Sequence, residues 1–195
     1  MRPHERSRFT ESMFEIRQTR LTDAITLPSI ERSAGQTFRT IQDLAWLADE
    51  DDVTVERHRE LIAQGMCWVA VDNKDVPIAY LSGEVVSSDF HISELYVHLD
   101  RQRRGLGGRL IEHALGEARR RGFDSASLTT FRDVPWNAPF YARFGFEVLN
   151  ECDAGLWLTA VLCAERERGL PPDRRCAMRL TLNSSPVERR ADLTT

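Results

Sequence analysis

The strongest constraint on the fold is a change of periodicity near residue 105. Before it, segments 66–72, 77–86 and 90–97 carry the apolar patterns of strands in an antiparallel meander. After it, apolar side chains recur at helical intervals until Gly122, at Leu106, Leu110, Ile111, Ala114, Leu115 and Ala118. A further strand pattern at 125–131 completes the order strand, helix, strand, which predicts one parallel crossover in a mixed sheet.

The remaining segments predict helices on a single twisted sheet. Further strands are expected at "FEIRQT" from Phe14, at "FEVLN" after Gly145 and at "RCAMRLTL". Helices are expected over 21–33 with Thr22 or Asp23 as cap, over 54–64, from Asn137 as cap, and over 156–168. The fold class is therefore α+β, or α/β in a looser naming, as one domain over 13–182 between loose tails at 1–12 and 183–195.

Composition argues against several broad classes. The formal net charge of −4 lacks the basic excess of general nucleic-acid binders. No apolar run approaches the roughly 20 residues that span a bilayer, and the charged N-terminus lacks a secretory signal. The four cysteines have no metal-binding spacing. We expect a soluble cytoplasmic protein without nucleic-acid, membrane or metal partners, and we leave open whether it forms a homodimer.

The turn "RQRRGLGGRL" at 101–110 predicts a phosphate site. A glycine-rich turn that opens a helix presents free N–H groups at the positive end of the helix dipole, and glycines allow close backbone approach. The P-loop pattern is missing, and the glycine spacing differs from that of dinucleotide-binding turns. The residues alone thus predict a pyrophosphate site without an NTPase or hydride-transfer signature, and a turn that only packs is the open alternative.

Two motifs in this order resemble those of the GNAT superfamily of N-acetyltransferases. "QRRGLG" at 102–107 is similar to its Q/R-x-x-G-x-G/A motif, and "NAPFY" at 137–141, followed by "RFGF", resembles its second cofactor segment. The resemblance covers 14–149 and, more loosely, the last strand near Met178. It implies acetyl-CoA as co-substrate, no metal, and a fourth and fifth strand that splay apart.

The resemblance also implies how acetyl-CoA is held. Its pyrophosphate would lie on the N–H groups at the start of the helix, and its pantetheine arm would pair with the backbone of the fourth strand. Asn137 would contact the arm or orient Tyr141. The implied cofactor-binding residues are Leu95, Tyr96, Val97, Gln102, Arg103, Arg104, Gly105, Leu106, Gly107, Gly108, Arg109, Asn137 and Tyr141.

Acetyl transfer to an amine needs a base and an acid, because an amine of pKa near 10.4 is almost wholly protonated at neutral pH. Tyr141 matches the family position that protonates the departing sulfur. The candidate bases are His91 and Glu94, which act directly or through water; strict alternation places them on opposite faces of the strand. A bulge of the kind usual in the family's fourth strand would let them converge. In the alternative, Glu94 is an ion-pair partner and His91 an exposed strand residue.

The acceptor is expected near the first helix and its following loop. An aromatic and acidic set there suits a cationic amine, at Glu31, Phe38, Trp46, Asp49, Glu50 and Asp51. Trp136 lines this pocket or packs in the core. We expect transfer to a small-molecule amine by direct attack in a ternary complex. The alternatives are acetylation of a protein lysine or N-terminal amine, and a non-catalytic acyl-CoA-binding module.

Overall fold

The computed structural model describes residues 14–182, so the predicted tails at 1–12 and 183–195 lie outside the described residues. Within them a seven-stranded sheet has the order β1-β2-β3-β4-β5-β7-β6. The strands are β1 Glu15–Gln18, β2 Cys67–Val71, β3 Pro77–Val86, β4 Asp89–Val97, β5 Ser125–Phe131, β6 Glu147–Val148 and β7 Arg175–Thr181. The α-helices are α1 Leu27–Gly35, α2 Val55–Ala63, α3 Leu106–Arg120, α4 Ala138–Ala142 and α5 Gly155–Glu167.

The centre of the sheet opens between β4 and β5. These two strands pair in parallel only where Asp89–His91 face Ser125–Ser127, whereas the other neighbouring strands pair antiparallel. Beyond His91, β4 continues to Val97 and β5 continues to Phe131 without pairing to each other in the described register. The predicted mixed sheet with a splayed fourth and fifth strand is confirmed.

The helices divide between the two faces of the sheet. The apolar stripe of α3, with Leu110 and Ile111 fully buried, packs on one face together with α4. On the other face α1 and α2 cover β2 and β3, and Leu158 of α5 packs on Ala177 of β7. On this second face, the surface of β4 between α1 and α5 is called the groove below. Within the described residues no helix is long and apolar enough to cross a membrane.

The predicted helix over 21–33 is wrong in its start and its cap. Leu21–Ile25 form a 3-10 helix, and α1 begins only at Leu27, where Pro28 suits the first helical turn. The Asp23 carboxylate is occupied elsewhere, since it accepts from the Arg20 N–H and pairs with Arg17 at 2.7 Å. The helix predicted over 54–64 is present as α2, and Thr54 caps it, because its Oγ1 accepts from the Arg57 N–H at 3.2 Å.

Candidate active site

A β-bulge in β4 turns both predicted bases toward the groove. The register with β3 skips Ser93: Glu94 lies opposite Ser82, whereas His91 lies opposite Glu84. Since Ser82 and Glu84 are two residues apart on β3, their side chains and those opposite them share one face. The bulge that the family resemblance implied is therefore present, and it removes the separation that strict alternation requires.

Glu94 lies in the groove under conditions that favour its protonated form. Desolvation, and then the negative charge of Glu31, raise the pKa of this carboxyl to about 7. A hydrogen bond from Tyr96 and the positive charges of Arg168 and Arg175 oppose this shift. A carboxyl group with a pKa near neutral pH can both accept and release a proton under ordinary conditions.

His91 is enclosed by its neighbours. Its side chain is 5% exposed, its Nδ1 lies 3.1 Å from Ser127 Oγ, and its ring centroid is 4.4 Å from that of Trp157 on α5. Burial lowers the pKa of the imidazole to about 4, although the charge of Glu165 acts in the opposite direction. The ring is therefore neutral at pH 7, but it is a weak base with one nitrogen already engaged.

Tyr141 projects from α4 into an aromatic cluster at the opening between β4 and β5. Its ring centroid is 5.2 Å from that of Phe140 and 6.0 Å from that of Phe146. Desolvation, and then the charge of Glu94, raise the pKa of its hydroxyl, while Arg175 opposes the shift. The phenol consequently stays protonated, and the predicted acid lies within electrostatic reach of the predicted base.

Asn137 occupies the N-cap position of α4, but its side chain does not cap the helix. Its Oδ1 instead accepts from Thr130 Oγ1 at 2.7 Å and from the Phe131 N–H at 3.4 Å. The predicted capping bond is therefore wrong, because the end of β5 supplies closer donors. Asn137 connects the helix that carries Tyr141 to this strand, and no local sequence pattern indicates the partner Thr130.

The start of α3 offers a backbone cradle for an anion. The first hydrogen bond of the helix runs from the Arg109 N–H to the Gly105 carbonyl at 3.0 Å. The N–H groups of Leu106, Gly107 and Gly108 therefore have no acceptor within the helix. Gly105 has φ +80°, a conformation that a side chain would strain. This arrangement fits the pyrophosphate of acetyl-CoA.

One glycine of the cradle also serves packing. A Cβ on Gly108 would lie at a tight 3.3 Å from Phe144 Cζ, whereas a Cβ on Gly107 would lie at an ordinary 3.5 Å from Phe140 Cζ. The sequence predicts clearance for the bound group at both positions. In the structure Gly108 also lets Phe144, which follows α4, approach the first turn of α3.

The side chains around the turn do different work from its backbone. Gln102 Nε2 donates to the Val97 carbonyl at 3.1 Å and to Thr37 Oγ1 at 3.2 Å, so this amide fastens the turn to β4 and to the segment after α1. Arg103 and Arg104 are exposed. The Arg109 guanidinium stacks at 4.5 Å from the Phe14 ring centroid. The backbone, rather than these cations, forms the cradle.

The predicted acceptor residues fall into a buried and an exposed group. Glu31 is 7% exposed: its Oε2 accepts from the Val53 N–H at 2.8 Å, the Tyr80 hydroxyl donates to its Oε1, and His58 Nε2 lies 2.8 Å from that oxygen. Trp46, Asp49 and Asp51 are exposed, as is Trp136, and Glu50 and Phe38 are half-buried. Phe38 stacks edge-on with Trp136 at 5.8 Å, and Asp49 pairs with Arg39 at 2.6 Å.

Comparisons with known proteins agree with this geometry. Residues 31–146, well over half of the chain, match the model of the acetyltransferase (GNAT) family. The fold is similar to that of PaiA N-acetyltransferase from Thermoplasma acidophilum in complex with coenzyme A (15% identity, 86% of this chain and 98% of that chain, TM-score 0.62).

Two further solved structures are similar to this chain. They are the ribosomal-protein-S18-alanine N-acetyltransferase from Escherichia coli (18% identity, 89% of this chain and 96% of that chain, TM-score 0.62), and N-acetylglutamate synthase from Neisseria gonorrhoeae with coenzyme A and N-acetyl-glutamate (16% identity, 89% of this chain and 36% of that chain, TM-score 0.61). At these identities the structures establish the fold, and the family model establishes the family. The chain belongs to the acetyltransferase (GNAT) family.

Proposed function

We propose that this acetyl-CoA-dependent N-acetyltransferase modifies the amine of a small-molecule acceptor, with Glu94 as base and Tyr141 as acid. The observation that carries the proposal is the bulge at Ser93, which turns Glu94 into the groove within electrostatic reach of Tyr141. Acetyl-CoA, when bound, supplies an activated acetyl thioester. Its pyrophosphate fits the N–H groups of Leu106 to Gly108, and the unpaired edge of β4 beyond His91 is open to its pantetheine arm.

Glu94 is the better of the two candidate bases. A group with a pKa of about 7 is about half ionised at neutral pH and is still basic enough to accept a proton from the acceptor amine. Its carboxylate takes that proton directly or through water. His91 has a pKa of about 4, and its Nδ1 lies within hydrogen-bond distance of Ser127 Oγ. It therefore suits a role in packing α5 against the sheet better than the role of a base.

Tyr141 has the complementary property. Because burial raises its pKa, its hydroxyl stays protonated at neutral pH. Tyr141 would supply this proton to the sulfur of coenzyme A as the bond between that sulfur and the acetyl carbon breaks, and the phenolate would then regain a proton from solvent. Asn137 holds the helix of Tyr141 through Thr130 and thus positions the acid.

The contacts of segment 36–49 favour a small acceptor over a polypeptide. Leu44 of this segment is fully buried in an apolar cluster with Phe131, which ends β5, and with Leu170, which follows α5. Arg174 forms ion pairs with both Asp43 and Asp133, and Glu50 pairs with Arg168 at 3.6 Å. These contacts join the segment, and Glu50 directly after it, to the loop after β5 and to the loop between α5 and β7. An extended peptide acceptor would need open space at this end of the groove.

One assay tests both the reaction and the acceptor class. Purified protein is incubated with acetyl-CoA and either small amines or peptides with free lysine and N-terminal amines, and free thiol is followed. Thiol release with a small amine supports the proposal; release with peptides only would refute the acceptor class. The absence of thiol release above hydrolysis with every acceptor tested, despite tight coenzyme A binding, would refute the proposed transfer to these amines.

The roles of the two groups are tested separately. Tyr141→Phe keeps the ring and removes the proton, so kcat should fall by roughly 10²-fold or more while the Kd for coenzyme A stays within about twofold. His91→Gln is the comparison variant, and it should retain kcat within a few-fold at temperatures where it is folded. A loss with His91→Gln as large as that with Glu94→Gln would contradict the assignment of the base.

A further inference from the structure

A second carboxylate is buried behind the groove. Glu31 is 7% exposed on α1, and it lies against Tyr80 and His58, which are both fully buried. It accepts hydrogen bonds from two donors, the Val53 N–H and the Tyr80 hydroxyl. Burying an ionised carboxylate costs free energy. A neutral side chain could connect α1 to the sheet without this cost, so the charge itself calls for an explanation.

Two tyrosines connect this carboxylate to Glu94. Tyr80 and Tyr96 are opposite residues of β3 and β4, and their ring centroids are 5.7 Å apart. Tyr80 donates its hydroxyl to Glu31, and Tyr96 donates its hydroxyl to Glu94. The two carboxylates are thus connected through one pair of neighbouring phenols, in which Glu31 and Tyr80 are buried and Glu94 and Tyr96 are half-buried.

We propose that Glu31 is a positioning residue for Glu94: its buried negative charge, acting across the neighbouring rings of Tyr80 and Tyr96, moves upward the pH range in which Glu94 accepts a proton. This inference rests on the proposed role of Glu94 as base. A like charge nearby disfavours ionisation, and the effect is large where water is excluded. Glu31 therefore makes Glu94 a stronger base than it would be beside a neutral residue.

Other groups act on Glu94 as well: the Tyr96 hydroxyl and the charges of Arg168 and Arg175 lower its pKa and so oppose the charge of Glu31. On α2, His58 Nε2 lies 2.8 Å from the Glu31 carboxylate, and neither ring nitrogen of His58 has an aligned hydrogen-bond partner among the described residues. The titratable and charged groups that interact with Glu94 are Glu31, Tyr80, Tyr96, Tyr141, Arg168 and Arg175.

The test measures the titration of Glu94 directly. Glutamate is labelled with carbon-13 at the side-chain carboxyl, and the Glu94 signal is identified by its loss in Glu94→Gln. In Glu31→Gln the midpoint of this signal should fall by a few tenths of a unit to about one unit. In Glu31→Asp, which keeps the charge while altering the contacts, the midpoint should stay close to that of the wild type.

Asp23→Asn is the matched control. Asp23 has the same 7% exposure as Glu31 and also holds an ion pair, but it lies after the edge strand β1, three strands away from β4. This variant should lose stability without moving the titration of Glu94. If Glu31→Gln does not fold, Glu31→Met combined with Tyr80→Phe serves as the neutral variant, because it leaves no phenol hydroxyl unpaired.

The results separate this inference from the proposed function. An unchanged midpoint in the neutral variant, or an equal fall in Asp23→Asn, would overturn the role of Glu31. A lower midpoint accompanied by an equal downward movement of the acid limb of kcat/KM supports both proposals. A lower midpoint without movement of that limb supports the electrostatic coupling and refutes Glu94 as the base.

Discussion

Replacing Gly83 with alanine tests whether the bulge in β4 depends on close strand contact. A Cβ at this position would lie 2.5 Å from the His91 carbonyl oxygen and 2.7 Å from Phe90 Cζ, and even closer to another atom of that ring. Since one of these atoms is backbone, β3 and β4 must separate where the register shifts. Overpacking costs about 1–3 kcal/mol, and the three close contacts place this variant at the upper end, about 3 kcal/mol.

The measurement is thermal unfolding together with kcat/KM. For a domain of this size, about 3 kcal/mol corresponds to a decrease in Tm of roughly 6–12 °C. The kcat/KM should also fall in the fraction that stays folded, because the bulge directs Glu94. Gly116→Ala is the control: its Cβ would meet nothing within 4 Å in the middle of α3, so it should stabilise by about 0.5–1 kcal/mol. A Tm for Gly83→Ala within about 2 °C of the wild type would refute the packing argument.

Three further predictions concern the base, the cradle and a cap. The kcat/KM should rise with pH and level off above about 7, since only the carboxylate form of Glu94 accepts a proton. Glu94→Gln should abolish this rise and lower kcat/KM by roughly 10²–10⁴-fold. Persistence of the rise in the variant would assign it to another group. Gly105→Ala should lower stability by about 1–2 kcal/mol because of its left-handed φ of +80°, and calorimetry should show weaker coenzyme A binding; unchanged binding would contradict the cradle. Thr54→Ala should cost about 0.5–2 kcal/mol in urea unfolding through loss of the cap of α2, with kcat unchanged, and an unaltered unfolding midpoint would show that the cap contributes nothing.

Most of the framework could be predicted from local pattern. The helix α3 and the strands β2 to β5 each contain a complete apolar period bounded by turn residues, and their order determines the parallel crossover. The cradle was predictable for the same reason, because a strand, a glycine-rich turn and a helix are consecutive in the sequence. Local pattern therefore suffices where one segment contains both the signal and its consequence.

Long-range contacts explain where the prediction was wrong. Asp23 and Asn137 both have the side chains of helix caps, yet each binds a partner that local propensity does not reveal: Arg17 from β1 for Asp23, and Thr130 from β5 for Asn137. Asn137 Oδ1 meets donors from β5 and is thereby withdrawn from its own helix, whereas Asp23 keeps a bond from the Arg20 N–H beside its ion pair with Arg17. The outcome depends on tertiary neighbours and not on the type of residue.

The proposed choice of Glu94 over His91 as the base depends on one extra residue in β4. With regular alternation only one of His91 and Glu94 faces the groove, and imidazole would be the natural base at neutral pH. The bulge at Ser93 brings both to the groove face, and their neighbours then reverse the preference. Burial lowers the pKa of the imidazole, which lies against Trp157 and Ser127, whereas desolvation and the charge of Glu31 raise the pKa of the Glu94 carboxyl. The residue with the less suitable intrinsic pKa thereby becomes the one whose pKa lies near neutral pH.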